Sequence, residues 1–171
     1  MRWTWIDRIV QLERGKRCVA IKNVTLAEEV LHDHFPASGD SRAMPVMPNT
    51  LIIEGMAQTA GILVGHARDF QEKVILAKIG RATFTAAAGP GHSVLYEATL
   101  ERIDKHGAST TGTVTRIDAA TGDKVPLATI NLTFSHIDQS GSDLPFPEHN
   151  FVFTDQFMDL LEQSGFGVGK G

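Results

Sequence analysis

Two side chains of this sequence are suited to proton chemistry, His34 and Glu54, twenty residues apart. Glu54 is the one ionisable group in the run Leu51-Ile52-Ile53-Glu54-Gly55-Met56-Ala57-Gln58-Thr59-Ala60-Gly61-Ile62-Leu63-Val64. A helix apolar nearly all round belongs inside a core, and a lone carboxylate placed there is costly to ionise, which favours its neutral acid form. His34 stands in His32-Asp33-His34-Phe35-Pro36, and histidine changes charge near neutral pH. Brought together in an apolar cleft, the two would take up and donate protons. Each also has a plainer role, His34 as a packing histidine and Glu54 as a clasp within a helix or dimer. His32 and His34 at i,i+2 resemble a metal pair, but a third ligand is not evident.

Several elements must position these groups. Residues 5–12 mix apolar and polar side chains and end at Glu13-Arg14-Gly15-Lys16, a hairpin-turn signal. Arg17 to Thr25 alternates as a strand, and Leu26 to His32 fits one short helical turn. Phe35 to Pro48, with its three prolines, is a loop long enough to suggest function. Pro48 closes it, and Asn49 or Thr50 is expected to cap the apolar helix. That helix should run to about Arg68, whose charge suits the negative helix end. Strands are expected over Val74 to Ile79, Ser93 to Ile103, Ala108 to Asp118 and Val125 to Ile137, separated by glycine-containing turns. Short turns between consecutive strands favour antiparallel pairing. The expected fold is therefore α+β, an antiparallel sheet wrapped around one long apolar helix.

The expected division of the chain is a domain over residues 1–138, a Ser-, Gly- and Pro-rich linker over 139–153, and a C-terminal helix with a loose tail over 154–171. The helix, from Thr154 to Gln163, carries Phe157, Met158, Leu160 and Leu161 on one side, suited to packing on the domain or on a partner subunit. At 171 residues, with 42% hydrophobic and 21% charged side chains, the chain can bury a substantial core. Its net charge of −4 argues against nucleic-acid or anionic-membrane partners. One cysteine, Cys18, permits no internal disulfide. Residues 1–8 lack the apolar run of a signal peptide, and no run is long enough to span a bilayer, so a cytoplasmic protein is expected.

Taken together, His34-Phe35-Pro36, Pro45-Val46-Met47-Pro48 and Ile52-Ile53-Glu54-Gly55-Met56-Ala57-Gln58 resemble the hotdog-fold 3-hydroxyacyl-acyl-carrier-protein dehydratases of bacterial fatty acid synthesis. The resemblance extends to Ile6-Asp7-Arg8-Ile9, to Ile21-Lys22-Asn23-Val24-Thr25, to Ala77-Lys78-Ile79 and to Gly89-Pro90-Gly91, covering roughly residues 4 to 137. Three departures stand out. The spacing from His34 to Pro48 is longer by about six residues around Ala37 to Met44, Asn49 replaces a glycine, and His92 replaces an aspartate. The first could displace His34; the third looks structural.

The resemblance implies a hotdog fold and an active site shared by two protomers of a homodimer, with His34 from one and Glu54 from the other, and possible assembly into a trimer of dimers. It implies dehydration of a 3-hydroxyacyl thioester carried by acyl carrier protein or coenzyme A, with no metal or organic cofactor. His34 would take the α-proton and Glu54 would help the β-hydroxyl leave, or His34 would perform both transfers with Glu54 orienting it. Backbone N–H groups near Asn49 and Thr50 would polarise the thioester carbonyl. Gln58 would hold the helix or the acid in place. Met44, Met47 and Phe84 are candidates to line an acyl tunnel, and Lys78 and Arg81 to meet an acidic carrier protein; ordinary core and surface roles compete with both. Two other functions suit the same fold: a thioesterase with Glu54 as base, and a non-catalytic acyl-binding module. His34 would be superfluous to both.

Overall fold

The computed structural model describes residues 3–137 and 153–167. Alternating side chains build six strands: β1 (Arg8–Glu13), β2 (Arg17–Asn23), β3 (Lys73–Phe84), β4 (His92–Ile103), β5 (Gly107–Asp118) and β6 (Lys124–Ile137). Three helices accompany them: α1 (Val30–Asp33), α2 (Asn49–Ala67) and α3 (Asp155–Gln163). The strands form one sheet in the order β1-β2-β4-β5-β6-β3, every pair antiparallel. The chain thus leaves β2, lays α2 across the sheet, starts again at the far edge with β3 and returns to β4. Helix α2 packs on β2, β3, β4, β5 and β6. A helix held by an antiparallel sheet in this way is the hotdog architecture.

The expected strands form, with two informative differences. Strand β3 was expected to end at Ile79 but continues to Phe84. Its second half lacks an apolar alternation, and pairing with β6 as far as Phe84↔Ala128 holds it instead, with irregular register at Leu76/Lys78 and Ile79/Arg81. Strand β1 begins at Arg8 rather than Trp5, because the backbone at Trp3 and Trp5 bonds to α2 and not to a strand.

The core fills the space between α2 and the sheet. Ile52, Met56, Ala60 and Leu63 meet Cys18, Val94, Tyr96, Ile130 and Leu132, all buried. Burial pushes the Cys18 thiol up to about 12. Two glycines of the interface have no room for a side chain. A Cβ on Gly55 would stand 2.5 Å from the Tyr96 ring, and one on Gly112 would overlap Met56.

Helix α3 packs back on the same chain: Leu161 is fully buried, and the Ser164 hydroxyl accepts from Ile9 N–H at 3.0 Å. Most of the expected linker, and residues 168–171 of the expected tail, lie outside the described residues. Among the described residues no helix is long and apolar enough to cross a membrane.

Candidate active site

His34 follows directly on α1, where its backbone N–H closes the helix on Val30 O at 3.2 Å. Its half-buried ring has Nδ1 at 2.5 Å from the Val46 carbonyl oxygen. A carbonyl only accepts, so Nδ1 carries the hydrogen and Nε2 of the neutral ring keeps its lone pair. Phe35 lays its ring against this one, tilted by 39° with centroids 4.3 Å apart. Its φ of +58° is a left-handed conformation unusual for a bulky side chain.

The insertion leaves His34 beside the Pro45–Pro48 segment. Residues 35–44 form a closed excursion. Ser38 and Ser41 bond each other reciprocally around Gly39, which has φ +55°, and Met44 N–H returns to Phe35 O at 3.0 Å. Beyond it, Met47 N–H donates to Ala88 O at 2.8 Å, fixing Pro45–Pro48 against the β3–β4 connection. Gly89 is required there, since a Cβ would meet Pro45 O at 2.8 Å. His92 has a structural place in the same turn, its Nδ1 accepting from Gly89 N–H at 3.0 Å.

At the start of α2 the cap differs from the sequence expectation. Pro48 is the N-cap, with no side-chain capping bond, so neither Asn49 nor Thr50 caps the helix. Pro48 O accepts from Leu51 and Ile52 N–H, and its ring already favours the required φ. Asn49 and Thr50 are exposed, and their N–H groups are among those a helix leaves without an internal acceptor.

Glu54 differs from expectation too. It is half-buried rather than sunk in the core, because α2 is not covered all round: Ile53, Glu54, Ala57 and Gly61 stay partly open. Gln58, one turn on, donates to Glu54 Oε1 at 2.9 Å. The same carboxamide accepts from Trp5 N–H at 2.8 Å and donates to Trp3 O at 3.1 Å. Gln58 thus ties the acid to the N-terminal segment through three hydrogen bonds.

Glu54 borders a cavity of about 210 Å3. Glu54, Gln58 and Ile62 line it from α2, Phe134 from β6, and Phe153 and Phe157 from the C-terminal segment. The aromatic residues are contributors that the sequence reading missed; the signal was the cluster Phe151, Phe153 and Phe157 beyond the motif-bearing region. The other expected liners lie elsewhere. Met47 is 2% exposed and packs among Trp5, Val24 and Leu31, Phe84 is half-buried near the end of β3, and Met44 is exposed on the insertion. Lys78 and Arg81 are exposed on edge strand β3.

Within this one chain His34 and Glu54 are not joined by a hydrogen bond, and His34 does not line the cavity at Glu54. His32 is occupied at Leu26 O, 2.6 Å away, and among the described residues no three His, Cys, Asp or Glu side chains cluster to hold a metal.

Comparison with known proteins agrees with this architecture. Solved structures with the same fold include a thioesterase family protein from Silicibacter pomeroyi, at TM-score 0.61 and 15% identity over 76% of this chain and 83% of that one. Another is an acyl-CoA hydrolase variant from Staphylococcus aureus in complex with coenzyme A, at TM-score 0.59 and 16% identity over 93% and 88%. Curated relatives are 3-hydroxyacyl-acyl-carrier-protein dehydratases FabZ. That of Caldanaerobacter subterraneus is 39% identical over 99 residues, and that of an Acidovorax strain 40% identical over 102 residues. Each alignment takes in 57% of this chain and 66% of the relative, so the chain spans just under two thirds of their length. The family match runs from residue 2 to residue 126, most of the 171-residue chain and all of the His34–Gln58 region, and on that ground the protein belongs to the FabA-like domain family.

Proposed function

We propose that the protein removes water from a 3-hydroxyacyl thioester to give the trans-2-enoyl thioester, a step of fatty acid biosynthesis. The observation that carries this reading is the Gln58-bound Glu54 on an apolar cavity, in a chain whose His34 uses Nδ1 for Val46 O and so leaves Nε2 for a second partner. The FabZ names of the relatives point the same way.

In this reading His34 Nε2 accepts a proton from the α-carbon, which the thioester carbonyl acidifies. The carbonyl oxygen gains negative charge as that bond breaks, and the N–H groups of Asn49 and Thr50, at the positive end of α2, stabilise it. The electron pair forms the double bond, the β-carbon–oxygen bond breaks, and Glu54 supplies the proton with which hydroxide leaves as water. His34 ends protonated and Glu54 ionised, and a proton returned from one to the other through solvent resets the site. A second course has His34 perform both transfers while Glu54 orients it.

The two groups meet, on this proposal, across a homodimer, His34 of one protomer facing Glu54 of the other. The partly open face of α2 at Ile53, Glu54, Ala57 and Gly61, and the edge position of β3 with Ile79 46% exposed, support such a surface. Assembly into a trimer of dimers is compatible with it. The hotdog domain then comprises residues 1–138, with α3 an appendage that docks on it. The thioester would arrive on acyl carrier protein or coenzyme A, with Lys78 and Arg81 available to an acidic carrier, and a cytoplasmic location accompanies the pathway.

Incubation with 3-hydroxybutyryl and crotonyl thioesters, following enoyl absorbance and free thiol together, tests the reading. Interconversion without thiol release, falling about 10²- to 10⁴-fold in His34→Ala, is expected. Thiol release instead would make the protein a thioesterase. Ligand binding unaffected by His34→Ala, with neither reaction, would make it an acyl-binding module.

A further inference from the structure

The cavity beside Glu54 has a direction. Its α2 wall runs from Glu54 through Gln58 and Gly61 to Ile62, eight residues or about 12 Å along the helix axis. One turn after Gly61, the Phe153 ring lies so close to Gly65 that a Cβ there would overlap it. Phe153 is buried, and the Phe70 ring meets it edge-on with centroids 4.9 Å apart. Phe157, one turn into α3, is half-buried and borders the cavity directly. The acid and the rings of Phe153 and Phe157 thus border one space, with Phe153 set against α2 at Gly65, beyond Ile62. Those rings come from residues 153–157, beyond the family match that ends at residue 126.

An apolar cavity of about 150 Å3 holds benzene, six carbons. At that packing, about 210 Å3 takes an acyl tail of roughly eight carbons, and in the proposed dimer its open side, at Glu54, Ala57 and Gly61, faces the partner. We propose that Phe157, backed by Phe153, forms the end wall of the acyl site and restricts the enzyme to short and medium acyl chains. This rests on the dehydratase reading and adds a specificity determinant to it.

Two substitutions should act in opposite directions. Phe157→Ala opens the wall. Gly61→Ala narrows the space without steric conflict, because its new Cβ would find only Phe134 Cε1, at an ordinary 3.8 Å. Each protein is assayed with C4, C8 and C12 3-hydroxyacyl-pantetheine thioesters, after circular dichroism has verified its fold. For the wild type, kcat/KM should collapse between C8 and C12. Phe157→Ala should raise the C12-to-C4 ratio by about tenfold or more, the scale of a few methylenes transferred from water, and Gly61→Ala should lower the C8-to-C4 ratio. Calorimetric binding of saturated butyryl-, octanoyl- and dodecanoyl-pantetheine repeats the comparison without chemistry. If no hydroxyacyl thioester is dehydrated but the binding series shows the cutoff and its shifts, the activity assignment fails and the end wall stands. A wild type that handles C12 as well as C4, or ratios unmoved in both variants, overturns the end wall even if dehydration is confirmed.

Discussion

His34 and Val46 face each other across the base of the insertion, ring Nδ1 to carbonyl oxygen at 2.5 Å. Everything between them is a side excursion closed by the Met44–Phe35 bond. Loop length itself costs little, about 0.6 kcal/mol per doubling. Excising residues 38–41 should therefore leave kcat/KM within about threefold of wild type. A loss as deep as that of His34→Ala would mean that the insertion itself holds the histidine.

Gln58→Leu removes the partner of Trp5 N–H, of Trp3 O and of Glu54 Oε1 at one stroke. Leaving these part-buried backbone groups without that partner costs at most about 1–3 kcal/mol, which chemical denaturation would register. Activity should fall further than stability, because Glu54 loses the bond that orients it. Equal kcat in the folded variant would relieve Gln58 of any part in positioning the acid.

The two tight glycines of the core should respond unequally. Gly55→Ala drives a methyl into the Tyr96 ring, which is fully buried and rigid, whereas Gly112→Ala meets the flexible Met56 side chain. Overpacking costs about 1–3 kcal/mol, and Gly55→Ala should sit at or above the top of that range with Gly112→Ala lower. Urea midpoints of the two variants decide it.

Lys22 is nearly buried on β2, its ammonium 3.0 Å from Asp7 and 2.5 Å from Glu28. Burial pulls its pKa down, but the bonds to Glu28 and Asp7 outweigh that and leave it raised. Raised in the folded state, it adds stability that is complete below the ordinary lysine pKa of about 10.4 and is lost as pH climbs through the higher folded value. Lys22→Met should cost about 1.5–3 kcal/mol, the scale of hydrogen bonds to charged groups. The difference between wild type and variant should stay flat from pH 7 to 9 and shrink above about pH 10.5. A difference that changed near neutrality instead would contradict this account.

Much of this molecule can be read directly from its residues. Alternation in residues 17–25, 93–103 and 108–118 is local, and the strands β2, β4 and β5 follow it closely. The extension of β3 to Phe84 is not local, because β6 supplies the pairing from more than forty residues away. His34, Glu54 and Gln58 stand out by type and spacing. Their surroundings do not: the half-open face of α2 depends on which side of the helix the sheet covers. The bonds to Trp3 and Trp5 depend on how the N-terminal segment crosses α2. The aromatic wall of Phe153 and Phe157 depends on a fold-back from beyond the sheet that no short-range pattern specifies.

Phe35 holds φ +58° directly between His34 and Pro36, and the residue is 55% exposed. A left-handed residue of this kind stores about 1–2 kcal/mol, opposed here by a few local bonds rather than by the core. The histidine's setting is therefore softer than the sheet around α2. On gradual warming, catalytic competence should fade several degrees before the far-ultraviolet signal of the sheet does, and return on cooling.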